Sequence, residues 1–456
     1  MSYVSNSADT LIGMINGCSE TVIREDGRAE TRTTGGTLVG NRDDRHLVTV
    51  AGSRSGKGRS MIIPNLSNYG GSIVCFDPKG ENTNATGLIR RDKLGQTVIV
   101  LDPFEITDPK LASLRKTYNP IAALDVNSAT LIEDAELIAD AVVVSTNTKD
   151  AHWDDTAKDF ITVVILYVAT GFFRPEERNL ITVYELIACK RHESMRELYD
   201  DMIICGGPDD VVAAGARAMK ERGKEEGASV LSNVRKNLKF LRYQSMQNVL
   251  KGDNCFSLED LKSKKISLYL CLPAMRMGTC RQWLRLFVNQ TLGAVERCPI
   301  QPDIPIKMII DEMPVLGPMK ELETAIGLVA GLGLRIHSII QDLGQLKSLY
   351  KNYETFLGNS GVLQFFGTVD FFTSEWISKY LGKTTLRVQD RADSTLDSLR
   401  AGATGFSYRH QVQDLMTPEE VRQFFARDDH MNRQLICIPG KKPMILQRAN
   451  WDQISS

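Results

Sequence analysis

Six short aliphatic runs limit what this chain can fold into: HLVTVA (His46–Ala51), SIVCFD (Ser72–Asp77), TVIVLD (Thr97–Asp102), ISLYLCL (Ile266–Leu272), IKMIID (Ile306–Asp311) and LRIHSII (Leu334–Ile340). Each has the length of a strand. Each is nearly continuous in Val, Ile or Leu, where a half-exposed strand would alternate with polar residues. Strands read that way when both faces are covered, as in a parallel sheet between layers of helices. VLQFF (Val362–Phe366) and LICI (Leu435–Ile438) are weaker additions. Helical segments between several of the runs predict an α/β fold.

From Asp125 to Tyr243 the pattern changes. TLIEDAELIADAVVVS opens with Thr130 and, three residues on, Glu133, the spacing of a capping box, and then shows helical apolar spacing. Helical periodicity continues through WDDTAKDFITVVILYVATGF and SVLSNVRKNLKFL without a convincing strand. The expected organisation is a core in two parts, residues 1–124 and 244–456, with an all-α insertion at 125–243. Arg387–Asp414 lacks periodicity and is expected to be a mobile loop. TPEEVRQFF predicts a last helix, with Thr417 as cap and Pro418 in the first position, where a missing N–H costs nothing.

At 456 residues and 42% hydrophobic content the chain can bury a sizeable core. Its net charge of −1 carries no overall bias toward nucleic acid, so any such surface must be a local patch. Nine cysteines are scattered with no C-x-x-C pair, which points to a reducing compartment and away from a disulfide framework or zinc knuckle. The N-terminus lacks the basic flank and apolar run of a signal peptide. The most apolar stretch, Phe160–Phe173, falls short of the roughly 20 residues that cross a bilayer. A soluble, cytoplasmic protein with no integral membrane segment is expected.

The first of the six runs leads into AGSRSGKG, Ala51–Gly58. A phosphate-binding loop has the form G-x-x-x-x-G-K-[ST], between a strand and a helix. Here Ala51 replaces the first glycine and Gly58 the hydroxyl residue. The backbone N–H groups of Gly52, Ser53, Arg54, Ser55, Gly56, Lys57, Gly58 and Arg59 can still cradle phosphate oxygens at a helix N-terminus, with Lys57 reaching the β/γ-oxygens. The missing hydroxyl removes one magnesium ligand, for which water or Ser60 would have to substitute.

IKMIIDEMPVLG ends its strand on Asp311 and Glu312. A carboxylate there can hold magnesium through water, and its neighbour can polarise an attacking water. Asp77, Lys79 and Glu81 fall at the same C-terminal edge, where ligands bind in open α/β sheets. LRIHSIIQD brings Gln341 there too, placed to sense a γ-phosphate. Taken alone, an acidic strand end or a surface amide is more often plain structure.

In order along the chain, AGSRSGKG, IPNL (Ile63–Leu66), DPKGE (Asp77–Glu81), HWDDTAKDF, DEMPVLG, GLGLRIHSIIQD and LMTPEEVR resemble the type IV secretion coupling proteins, the TraG-like ATPases. The resemblance covers roughly Leu38 to the C-terminus. Both departures of the loop then look like the family's own form of it. The resemblance implies a RecA-like P-loop NTPase core with an inserted all-α domain that engages substrates. It implies ATP and Mg²⁺ as cofactors, with Asp311 holding magnesium, Glu312 activating water and Gln341 coupling phosphate loss to movement. Arg335 is a candidate arginine finger. Expected partners are single-stranded DNA with its relaxase or effector proteins, a type IV secretion channel at the inner face of the membrane, and further copies of the chain in an ATP-dependent homo-hexamer. Gly52-Ser53 replaces the family's usual Pro-Thr, and the N-terminal membrane helices of most members are not seen. Two other readings fit the same motifs: a cytosolic ATP-switch adaptor for protein substrates, and a DNA-dependent ATPase outside secretion.

Overall fold

The computed structural model describes residues 8–23, 29–144, 151–391 and 406–454. The six runs become strands β5 (His46–Ala51), β6 (Ile73–Asp77), β7 (Thr97–Leu101), β8 (Ile266–Cys271), β9 (Ile306–Ile310) and β10 (Leu334–Ile340). All but β7 are buried along their whole length. With β11 (Ser360–Phe366) they form a parallel array in the order β11-β5-β10-β9-β6-β8-β7. This is the parallel α/β core expected from the aliphatic runs, and the RecA-like form of it that the resemblance implies.

The sheet does not stop there. β14 (Arg433–Cys437), β15 (Met444–Gln447), β1 (Thr10–Ile15) and β4 (Thr37–Asn41) extend it past β11 in antiparallel fashion, to eleven strands. A buried chain of side-chain hydrogen bonds crosses the junction. Thr49 Oγ1 donates to Gln364 Oε1 at 3.0 Å, so the 2.8 Å contact to His337 uses the Nε2 proton of that ring. Burial holds the His337 imidazole neutral by pushing it down to about 3. Gln364 Nε2 then donates to Gln434 Oε1 at 2.5 Å, and Gln434 Nε2 to the carbonyls of Ile12 and Gln447.

Between β7 and β8 the described residues contain helices and no strand. The principal ones are α3 (Leu131–Val142), α4 (Ala151–Thr170), α7 (Val211–Glu221) and α8 (Lys224–Asn237), following α1 (Ile63–Asn68) and α2 (Glu81–Asp92) of the core. Among the described residues no helix is long and apolar enough to cross a membrane. At the start of α3 the expected capping box does not form. Thr130 Oγ1 donates to Asp134 instead, at 3.2 Å, and makes no cap to the backbone. At Pro418–Phe424 the box does form, between Thr417 and Glu420.

The loop expected over Arg387–Asp414 is corrected by an antiparallel ribbon, β12 (Lys383–Arg391) with β13 (Phe406–Asp414); residues 392–405 lie outside those described. The described side chains are solvent-accessible on both faces of the ribbon, so no core face imposes apolar alternation and the sequence carries no strand signal.

One buried cation closes the N-terminal edge of the core. Arg90, on α2, donates to Ser267 Oγ, to the carbonyls of Leu66, Tyr69 and Gly71, and to Gln96 Oε1. Replacing it removes five hydrogen bonds at once; Gln96 Oε1 and Gly71 O keep other donors, whereas Leu66 O and Tyr69 O lose theirs, each worth about 1–3 kcal/mol if left unpaired. Arg90→Met is therefore expected to lower the free energy of unfolding by about 3 kcal/mol or more, read from urea denaturation.

Candidate active site

β5 ends at Ala51 and the chain turns through Gly52–Lys57 into a π-helical turn, Gly58–Ile62, that continues as α1. Gly52 is sterically forced, because a Cβ there would lie 2.1 Å from the Gly367 carbonyl oxygen at the end of β11. Arg54 (φ 56°) and Gly56 (φ 86°) carry the reversal in the left-handed region. The Ser55 N–H donates to Gly52 O at 3.2 Å, and the Ser60 N–H to Gly56 O at 2.9 Å. Space above the loop is open, since a Cβ on Gly56 would meet nothing within 4 Å.

Behind the loop stands Arg448, which the sequence did not flag. It is 4% exposed and donates through Nη1 to Ser55 O at 2.9 Å. Its Nη2 holds Arg427 O and Asn432 Oδ1, both at 3.0 Å. Burial pulls the guanidinium down to about 10, still a cation at neutral pH. Nothing local in QRANW distinguishes this arginine, because its partner is 393 residues away.

Lys57 reaches the end of β9. Its Nζ lies 2.6 Å from Glu312 Oε1 and 3.0 Å from Asp311 Oδ1. Gln341, after β10, donates from Nε2 to Glu312 Oε2 at 3.0 Å and Oε1 at 3.3 Å. Four side chains named from the sequence thus converge from three adjacent parallel strands. Glu312 adopts a left-handed conformation (φ 61°, ψ 50°) that caps the 3₁₀ turn Met313–Leu316. Burial pushes the Asp311 carboxyl above its ordinary value, against the pull of Lys57. Burial also draws Lys57 down, but Asp311 and Glu312 outweigh it and the ammonium ends above its ordinary value. Asp311 Oδ1 is close enough to Lys57 for an ion pair yet has no hydrogen bond of good geometry, so a buried carboxylate oxygen keeps a free lone pair.

Other expected residues are placed differently. Ser53 and Arg54 are exposed on the loop, and Arg59 pairs with Asp452, Nε to Oδ1 at 2.7 Å. Ser60 does not face the loop's mouth, because its hydroxyl donates to Gly56 O at 2.9 Å. Asp77 anchors its own turn, accepting from Thr83 N (2.8 Å), Thr83 Oγ1 (2.7 Å) and Lys79 N (3.3 Å). Lys79 and Glu81 are exposed beside it. Arg335 is a correction. It is 4% exposed at the N-terminal end of β10, so its guanidinium is buried within this chain and is not brought to the loop at the C-terminal edge.

Asn82, also missed, lies beside the position where Gly58 replaces the hydroxyl residue. Its Oδ1 is 3.9 Å from where a Cβ on Gly58 would be. The residue is 4% exposed, and its side chain makes no hydrogen bond among the described residues.

A strand–loop–helix with its lysine between two carboxylates from the parallel strand next but one, in a RecA-like sheet, defines the class: a P-loop NTPase fold. The family model described as "Type IV secretory system Conjugative DNA transfer" matches residues 8–453, and the chain belongs to that family. It is 26% identical to protein VirD4 of Rhizobium radiobacter over 446 residues, covering 91% of this chain and 58% of that protein. It is 25% identical to the conjugal transfer protein TraG of Escherichia coli, covering 82% and 61%. The chain thus spans about three fifths of the length of these curated relatives. Among solved structures, the conjugative coupling protein TrwBΔN70 in its unbound monoclinic form matches with a TM-score of 0.60 at 18% identity, over 90% of this chain and 87% of that one. TrwB in complex with ADP and Mg²⁺ matches at 0.59 and 17%, over 89% and 85%. Both show the shared fold.

The raised Lys57 has a sign that can be checked. A group whose folded value lies above 10.5 stabilises fully below that pH, and the contribution is lost as pH rises through the folded value. The stability difference between the natural protein and Lys57→Ala should therefore shrink above pH 10.5, in urea titrations run from neutral to alkaline pH.

Proposed function

We propose that this chain is the ATPase core of a type IV secretion coupling protein, which hydrolyses ATP to move single-stranded DNA with its relaxase, or a protein, toward a secretion channel. The observation that carries the reading is Lys57 held between Asp311 and Glu312, with Gln341 on the same carboxylate. Support comes from the family model, whose description is conjugative DNA transfer. It also comes from TrwB, solved with ADP and Mg²⁺ and with non-hydrolysable ATP and GTP analogues.

The residues fit such a ligand. The loop's mouth is open at Gly56, and the Asp311 oxygen with a free lone pair suits a cation or its water. Among the described residues no cluster of three or more His, Cys, Asp or Glu could hold a metal by itself. That suits magnesium, which keeps several waters and uses few protein ligands. When bound, ATP with Mg²⁺ supplies the γ-phosphoryl group and its charge neutralisation. Lys57 would turn from the carboxylates to the β/γ-oxygens, leaving Glu312 to accept a proton from water. Gln341 would report the departure of the γ-phosphate through its bond to Glu312. Asn82 Oδ1 would stand in for the oxygen missing at Gly58. The helical block at 125–243 would engage the polymer, and copies of the chain would form a hexameric ring at the cytoplasmic face of the channel.

Glu312→Gln is expected to keep nucleotide affinity and slow turnover by roughly 10²–10⁴, the worth of a positioned base. The deciding measurement is steady-state ATPase activity with and without single-stranded DNA, at protein concentrations that bracket assembly. Steeply rising specific activity supports the ring motor. A DNA-insensitive, concentration-independent rate would sink it and leave an ATP-switch adaptor. For Asn82→Ala, affinity for a fluorescent ATP analogue should fall about tenfold in magnesium, the scale of removing one supporting ligand, and stay unchanged in EDTA.

A further inference from the structure

A net charge of −1 means that any surface for a polyanion must be local. One such place exists away from the loop. A cavity of about 220 Å³ lies between the end of α8, the following turn Leu238–Arg242, and the start of α11 (Ala274–Arg297). Lys236, Lys239 and Arg281 line it, and among the described residues no carboxylate does. None of the three has an ion-pair partner among the described residues. Half-buried Tyr243, with the Arg242 guanidinium 5.3 Å over its ring and Phe240 buried behind, provides the aromatic surface, and Gln282 Oε1 is buried there without a donor.

Unpaired cations suit phosphates, an aromatic wall suits a stacked base, and a lone acceptor suits an exocyclic amino group. An acidic peptide could use the cations and donate an N–H to the acceptor, but it lacks the planar base that an aromatic surface stacks. We infer that this cavity binds the phosphate backbone and a base of single-stranded nucleic acid, and that Arg281 links it to the Glu312 turn. The link is geometric. A Cβ on Gly317, which ends the turn begun by Glu312, would lie 3.4 Å from Arg281 Nη1. One helical turn further along α11, buried Arg285 donates to Leu316 O at 3.1 Å and Pro318 O at 2.8 Å, and to Ala141 O of α3 at 2.9 Å. A strand held by Arg281 therefore loads the far end of the turn that aims Glu312. The inference rests on the reading that the moved polymer is nucleic acid.

The test is fluorescence polarisation with a labelled single-stranded oligonucleotide of mixed sequence, over a salt series. The natural protein, Lys236→Ala/Lys239→Ala and Tyr243→Ala are compared, with circular dichroism as the check on folding. Poly-glutamate serves as competitor. The double variant is expected to bind at least tenfold more weakly, with a salt slope lower by roughly 0.7 for each phosphate no longer neutralised. Lys236→Arg/Lys239→Arg should retain binding, and Tyr243→Ala should weaken it without changing the slope. DNA-stimulated turnover should fall in step with affinity. If the natural protein binds DNA and the folded double variant binds it equally well, the cavity is overturned while the motor reading survives. Loss of poly-glutamate binding alone would make the cavity a site for acidic protein and overturn it as well. If the natural protein binds no oligonucleotide, both readings fall together.

Discussion

One ammonium group organises the C-terminal edge of the sheet. Asp311 and Glu312 are adjacent carboxylates at a strand's end, and Asp311 is buried enough that its ionised form is disfavoured. Two such charges side by side would repel and would favour protonation of one of them. Lys57, arriving from β5 across β10, sits within ion-pair distance of both. Breaking such a partly buried set by removing one member leaves charge uncompensated, which costs more than the set contributes as a whole. The left-handed backbone at Glu312 and the amide of Gln341 complete a cluster whose geometry depends on that one lysine.

Much of this was legible in the sequence, for a physical reason. Strands buried on both faces have to be aliphatic throughout, so β5 to β10 stand out from the rest of the chain. The side chains that follow β5, β9 and β10 then fall at one edge by topology alone, which is why Lys57, Asp311, Glu312 and Gln341 could be named together. The same reasoning could not see that Arg335, at the start of β10, is buried at the edge opposite the loop. The sequence was silent where long-range contacts decide. Arg448 acts through a carbonyl, and carbonyls leave no sequence trace. Asn82 matters only because α2 brings it beside Gly58. The ribbon β12–β13 has no buried face to mark it.

The helical block and the core meet through backbone acceptors as well as through the ion pair of Arg297 on α11 with Asp134 on α3. Arg285, on the core helix α11, holds carbonyls at the end of α3 and at the end of the Glu312 turn in one guanidinium. Its five N–H groups are fixed in a rigid plane, so displacement of one set of carbonyls is felt by the other. Two regions distant in sequence share a rigid joint, at a point that adjoins the carboxylate cluster.

The outer third of the sheet has a consequence for synthesis. β15 lies between β14 and β1, so the antiparallel pair of β1 and β4 has no place on the sheet until residue 447 has been made. Arg448, the next residue, is the one that braces Ser55. On a nascent chain the core strands can pair while the loop at Gly52–Lys57 still lacks its rear support. The nucleotide loop therefore gains its rear brace only once Arg448 has been made, and loss of that residue would leave the parallel core with an unbraced loop.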